Sequence, residues 1–207
     1  NFLHQIPVYA ISIALQFQNE IIFGLVYEVN NRDCFYAVKE QGAFLNGKKI
    51  EVDNAFFPDS LIATGFPYYD FSKTKVYLEV LEEMMKGTRG VRRLGAASVD
   101  LAYVACGKFS GFFEYSLAPW DVAAGAFIVQ EAGGTVTDFS GGQDWLHGKS
   151  IIAGNPIVQN KILKIALVTV SLSGGGAERA AATLSKFFHN KGFEVHHVVF
   201  AGSISYA

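Results

Sequence analysis

The sequence predicts a mixed α/β fold in packed layers, and three observations carry that expectation. The first fifty residues read as antiparallel strands, helical periods appear only later, and those helices then alternate irregularly with short apolar strands. Half of the 207 residues are hydrophobic and 17% are charged, a composition that buries a real core. A simple doubly wound sheet would alternate regularly, and this chain does not.

In chain order, "VYAISIALQF" and "EIIFGLVYEV" are rich in β-branched and aromatic residues and flank Gln18-Asn19, which predicts a hairpin. "CFYAVKEQGAFLNGKKIEV" extends the meander, with Asn46-Gly47 as a turn dipeptide whose residues tolerate positive φ. After a short strand in "SLIATGF", Val76, Leu78, Val80, Leu81, Met84 and Met85 recur at helical spacing, with Ser72 as a candidate cap and Gly87 as a terminator. A second helix is expected over Ser98 to Cys106, then a strand in "FSGFFEY", then a helix opening at Pro119. Strands in "GTVTDFSGG" and "KSIIAGNP" follow. Phe112 and Phe113 read as core.

The bulk numbers exclude several classes of function. A net charge of −2 supplies no basic field for a nucleic-acid backbone. No run approaches the roughly 20 apolar residues needed to cross a bilayer. Cys34 and Cys106 show no paired spacing and are expected to be reduced, buried thiols of a cytoplasmic protein. The opening "NFLHQIPVYA" has neither an initiator Met nor a signal sequence, and is expected to be a cut edge.

The chemistry concentrates in "EYSLAPWDVAAGAFIVQEAGG", from Glu114 to Gly134. Pro119 suits a helix's first turn, where its absent N–H has no partner anyway, and this places Asp121 in that turn. A carboxylate there is favoured by the helix dipole, so capping alone would account for it. Two features point further. Ala123, Ala124, Gly125 and Ala126 leave little bulk beside the acid, and "RRLGAASVD" gives a second helix a small-residue start with exposed N–H groups. Two helix N-termini facing one cleft, with a carboxylate at one of them, would suit a phosphate ester bridged by a hard cation.

"NFLHQIPVYAISIAL", "LIATGFP", "RRLGAASVDLAYVACGKFSGFFEY" and "PWDVAAGAFIVQEAGG" occur in that order, and together they resemble the inositol monophosphatase family over roughly residues 1–160. The resemblance implies a layered αβαβα sandwich, here truncated, with Mg2+-dependent hydrolysis of a small phosphate ester, usually by a homodimer. It implies that Asp121 is a metal ligand that also orients the attacking water. Glu114 would accept hydrogen bonds from inositol hydroxyls, and Gly95, Ala96 and Ala97 would form the substrate-contacting loop. It places the other metal carboxylates in a Glu-Glu segment and a D-P-[IL]-D-G-T-[ST]-N-F motif, of which Asn1-Phe2 are the last two letters. Magnesium keeps its waters unless several anionic oxygens replace them, so the expectation is a chain without tight catalytic metal or useful turnover. Apolar strand surface is expected to be left uncovered.

From Lys164 the charge balance turns basic, and "KIALVTVSLSGGGAERAAATLSKFFHNKGFEVHHVVF" reads as strand, glycine loop, helix and strand. Gly174, Gly175 and Gly176 fit neither a G-x-G-x-x-G nor a Walker A spacing. The segment resembles the opening Rossmann-like βαβ unit of a GT-B glycosyltransferase, so the expected division is 1–162 and 163–207, with sugar transfer or a non-catalytic role as the alternative function. His196-His197, His4 and His147 read as ordinary histidines. Arg92-Arg93 read as a solvated pair or as a neighbour of phosphate.

Overall fold

The structure, a computed structural model, describes residues 1–67 and 70–172. The opening meander is an antiparallel sheet of β1 (Ala10–Phe17), β2 (Glu20–Glu28), β3 (Asp33–Val38), β4 (Gly42–Leu45) and β5 (Lys48–Ile50), paired in sequence order. Its tight turns use the residues the sequence offered: Gln18 and Asn19 join β1 to β2, and Asn46 and Gly47 join β4 to β5, all four at positive φ. The second sheet has the order β7-β6-β8-β10-β9, from β6 (Ile62–Thr64), β7 (Val91–Arg92), β8 (Gly111–Tyr115), β9 (Thr135–Thr137) and β10 (Ser150–Gly154). β6 runs parallel to β7 and β8, and the other pairs are antiparallel.

Four helices complete the unit: α1 (Thr74–Gly87), α2 (Ala97–Ala105), α3 (Pro119–Glu131) and α4 (Pro156–Leu172). Strand alternation divides the core in two. Phe112, Ile151 and Ala153 pack with α2, α3 and the inner face of the first sheet, through Val26, Phe35 and Ala37. Phe113, Tyr115 and Ile152 point the other way, onto Tyr77, Val80 and Met84 of α1 and Val158, Ile162 and Ala166 of α4. The described layers are therefore sheet, helix pair, sheet, helix pair.

The outer face of the first sheet is apolar and open. Ile11, Ile13, Leu15 and Phe17 of β1 are each at least 52% exposed. They continue across the sheet in register, Ile13 beside Leu25, Leu25 beside Tyr36, and Tyr36 stacked on Phe44. This is the uncovered strand surface that the sequence led us to expect.

Several expectations need correction. The strand expected from Lys164 is helix, for α4 continues to Leu172. Its apolar residues Val158, Ile162 and Ala166 recur four apart and bury one stripe against the second sheet, a period that a short apolar run conceals. Ser72 does not cap α1: the N-cap is Lys73 without a side-chain cap bond, while Ser72 N–H donates to Asp70 Oδ1 at 2.9 Å. Cys34 and Cys106 are free but only half-buried. The chain divides into two compact units, Asn1–Thr169 and Val170–Ala207. The glycine loop, His196-His197 and nearly all of the glycosyltransferase-like segment lie outside the described residues. Among the described residues no helix is long and apolar enough to cross a membrane.

Candidate functional site

Glu114 is the centre of the site because β8 is an interior strand of the second sheet, buried along its whole length. The two-residue period puts Glu114 on the face of Phe112, toward the α2–α3 layer, where a carboxylate is costly to desolvate. Burial accordingly pushes its carboxyl up to about 8, with Arg93 lowering it and Asp121 raising it further. The carboxylate lies against Gly65, just beyond β6, and any side chain at 65 would collide with it. Gly65 is pinned in turn, since its carbonyl accepts the Tyr77 hydroxyl at 2.6 Å. A side chain at 65 would therefore have to push the Glu114 carboxylate aside.

Asp121 sits in the first turn of α3 and closes it: Ala118 N–H donates to Asp121 Oδ2 at 2.9 Å. The capping explanation is therefore fulfilled, and the same carboxylate also acts electrostatically on Glu114. Its small neighbours serve packing more than ligand access. A Cβ on Gly125 would stand 2.6 Å from Leu101 Cβ of α2, and Ala124 lies under Gly24 of β2. Ala123 and Ala124 line a groove of 320 Å³ shared with Pro119, Trp120 and β1.

Gly95, Ala96 and Ala97 form the turn that opens α2, with Ala96 as its extended N-cap and no side chain capping it. The first N–H groups of a helix have no intrahelical acceptor, so this end is suited to an anion or a hydroxyl oxygen. Gly95 has φ +86, and a Cβ there would press on Arg93 Nη1 and on Asn1. Asn1 holds the turn by donating to Val8 O at 2.7 Å, Leu94 O at 3.0 Å and Gly95 O at 3.2 Å.

Two further residues act on this group: Arg93, which the sequence offered as a solvated residue or a neighbour of phosphate, and Asp100, which it did not single out. Arg93, whose guanidinium lies 5.6 Å from the Phe66 ring centroid, exerts its charge on both Glu114 and Asp100. Asp100, in the first turn of α2, is 1% exposed, and its Oδ1 has no hydrogen-bond partner among the described residues. Burial pushes its carboxyl up to about 8, with Glu114 adding to the rise and Arg93 opposing it. Only the fold brings it to Glu114, so no spacing in the sequence could have revealed it. Gly65 was likewise invisible until its neighbour was known.

A single carboxylate does not fit magnesium, and among the described residues no group of three His, Cys, Asp or Glu could hold a metal. A hollow of 660 Å³ lies elsewhere, between the β1–β2 turn, the later part of α3 and residues 143–147, and is not lined by Glu114, Asp121 or the Gly95 turn.

The fold defines a class, a layered α/β protein with an acid in the first turn of each of two adjacent helices. The chain matches the Inositol monophosphatase family over residues 1–170 and belongs to it. It is 49% identical over 166 residues to the putative Nus factor SuhB of Neisseria meningitidis serogroup B, covering 80% of this chain and 64% of the relative. To the inositol-1-monophosphatase of Mesorhizobium japonicum it is 41% identical, covering 79% of this chain and 62% of that protein. Among solved structures, extragenic suppressor protein suhB of Bartonella henselae superposes with a TM-score of 0.77 at 43% identity, over 80% of this chain and 64% of that one. The inositol monophosphatase of Anabaena does so at 0.74 and 31%, over 80% and 69%. The chain thus spans a little under two thirds of the length of the two curated relatives.

Proposed function

We propose that this chain carries the substrate-recognition part of a phosphomonoester hydrolase whose substrate is an inositol monophosphate. The observation that supports it most is the buried Glu114 carboxyl, carried on an interior strand and lying against Gly65. In this reading Glu114 accepts ring hydroxyls, the Gly95–Ala97 turn offers N–H groups to the substrate, and Arg93 draws in the anionic ester. Asp121 orients water at the start of α3. A homodimer, as is usual in the family, is part of the same proposal.

Magnesium dependence also belongs to this proposal. When bound, the ion would neutralise the phosphate and lower the pKa of a water. Asp121 is the ligand this chain offers, and one anionic oxygen donor leaves the 207-residue chain without useful turnover. The test is phosphate release from inositol 1-phosphate in several millimolar magnesium. No release is expected from this chain alone. Joined behind the family's upstream acidic segments, it should release phosphate, and Asp121→Asn should abolish that release. Turnover by the chain alone, or an active Asp121→Asn fusion, would overturn the assignment.

A second reading gives the chain the Nus-factor role named for the Neisseria relative, which is more similar than the Mesorhizobium inositol-1-monophosphatase, 49% against 41%. The same substitution separates the two. Asp121→Asn stops hydrolysis in the first and leaves complementation of the Neisseria relative intact in the second. Sugar transfer would have to run through residues beyond 172, whereas the family match over 1–170 supports hydrolysis.

A further inference from the structure

We propose that the free edge of β1 pairs with the β1 of a second copy of this chain, antiparallel about Ile13, and joins the two first sheets into one. The contact uses no residue of the candidate site, so it stands or falls apart from the phosphatase reading.

A strand at the end of a sheet leaves a row of N–H and C=O groups unpaired, and proteins ordinarily blunt such edges by shortness, charge or proline. Among the described residues the two sheets end in β1, β5, β7 and β9. β5 has three residues, two of them lysines, β7 has two, one of them Arg92, and β9 has three. β1 has eight, and its "AISIALQF" contains neither a charge nor a proline. A register shift between Leu15 and Gln16 disturbs its end, which leaves residues 10–15 as the regular stretch.

The direction of the backbone groups follows from the pairing with β2. Val29 N–H donates to Tyr9 O at 3.3 Å, and an antiparallel ladder alternates from such a bond. Ile11, Ile13 and Leu15 therefore direct their backbone groups to β2, opposite Tyr27, Leu25 and Phe23, while Ala10, Ser12 and Ala14 turn theirs to the open side. Set antiparallel about Ile13, two copies meet with Ser12 of each opposite Ala14 of the other, pairs that each exchange two hydrogen bonds. The pairs between them bring side chains closer, and they match Ile13 with Ile13 and Ile11 with Leu15. All three are more than half exposed on the outer face. On the inner face Ser12 and Ala14 line the 320 Å³ groove beside Trp120, so the small side chains of a second strand have room there. The edge thus fits itself, apolar against apolar and small against small, and offers no charge to select a foreign strand. A two-fold contact of this kind closes at a dimer.

The pairing is shorter than a standard interface, so a weak dimer is expected, seen as sedimentation that depends on protein concentration. Ala14→Pro removes an outward N–H and leaves the β2 ladder intact, at a position where an edge strand tolerates proline. It takes two bonds from each dimer and should weaken association roughly tenfold to a hundredfold, while Ala14→Ser, which keeps the N–H, should follow the parent. Ile13→Lys and Ile13→Glu set like charges opposite each other, so each alone should stay monomeric and an equal mixture of the two should dimerise. In amide exchange, Ser12 and Ala14 should gain protection as concentration rises, and Ile13 should not. Association that survives Ala14→Pro, or does not return in the Lys and Glu mixture, would overturn the edge pairing and leave the open outer face as the contact. A parent chain that is monomeric at every concentration would overturn it as well. Should Ala14→Pro not fold, the two Ile13 variants decide alone, since that side chain is 52% exposed and its replacement leaves the core intact.

Discussion

Gly125→Ala tests whether the close approach of α2 and α3 holds the site together. The added Cβ would stand 2.6 Å from Leu101 Cβ and 3.0 Å from Leu101 Cδ1, closer than packed carbons tolerate, so one helix must shift. Such overpacking costs about 1–3 kcal/mol, while alanine's better helix propensity returns up to about 1 kcal/mol, leaving a net effect between about zero and a loss of about 3 kcal/mol. For a domain of this size each kcal/mol moves Tm by about 2–4 °C, a shift that thermal circular dichroism resolves. The decisive comparison is a double-mutant cycle. Leu101→Ala alone costs about 2–5 kcal/mol by leaving a cavity; it removes the contact with Cδ1 but keeps the Cβ, so in that background, where the residue can yield more easily, Gly125→Ala should cost less than in the parent. A Gly125→Ala change with the same effect in both backgrounds would refute the argument that the glycine is there to admit Leu101.

Four further outcomes follow from the same structure. Gly65→Ala should displace the Glu114 carboxyl and abolish inositol phosphate binding, as measured by titration, because the new methyl and the carboxylate claim the same space. Between the ordinary carboxylate values of 3.8 and 4.5 and the raised values of about 8, the folded chain holds protons on Asp100 and Glu114 that the unfolded chain releases. The stability these groups contribute is therefore full below that window and lost as pH rises through 8, so the urea midpoint should fall across it, and less steeply in Asp100→Asn. Asp138 works in the opposite sense. Burial raises its carboxyl, but hydrogen bonds from Ser140, Gly142 and Asp144 outweigh that and lower it, so acidification below its ordinary 3.8 should loosen the 138–144 loop in hydrogen exchange. On the open face of the first sheet, Ile13→Lys and Leu15→Lys should reduce self-association in sedimentation without lowering Tm, since both side chains are more than half exposed.

Much of the first sheet was legible because its strands alternate and its turns need residues that accept positive φ, and both signals are local. Asp121 was legible for the same reason, since Pro119 marks a helix start and the acid follows within one turn. The reading failed where one local pattern serves two purposes. Ala124 and Gly125 looked like room for a ligand, yet Gly125 admits Leu101 and Ala124 lies beneath Gly24, contacts with residues 24 and 100 positions away. "KIALVTV" looked like a strand, yet it extends α4, because an apolar run of that length carries no period of its own.

The same distinction explains why the candidate site was only half visible. Glu114, Asp121 and the Gly95 turn belong to contiguous motifs, each anchored by a local device: a buried strand, a helix cap, a left-handed glycine. Gly65 and Asp100 have no such device. Gly65 matters because β6 runs beside β8 with Thr64 opposite Phe113, which carries the next residue of each chain segment, 65 and 114, into contact. Asp100 stands out because it is 1% exposed in a helix whose adjacent side chains Val99, Leu101 and Ala102 are buried as well. Both roles arise from register and packing. A substitution that slips either one should therefore disable Glu114 without altering Glu114, Asp121 or the Gly95 turn, which makes Gly65→Ala and Gly125→Ala sharper probes of this site than changes to the acids.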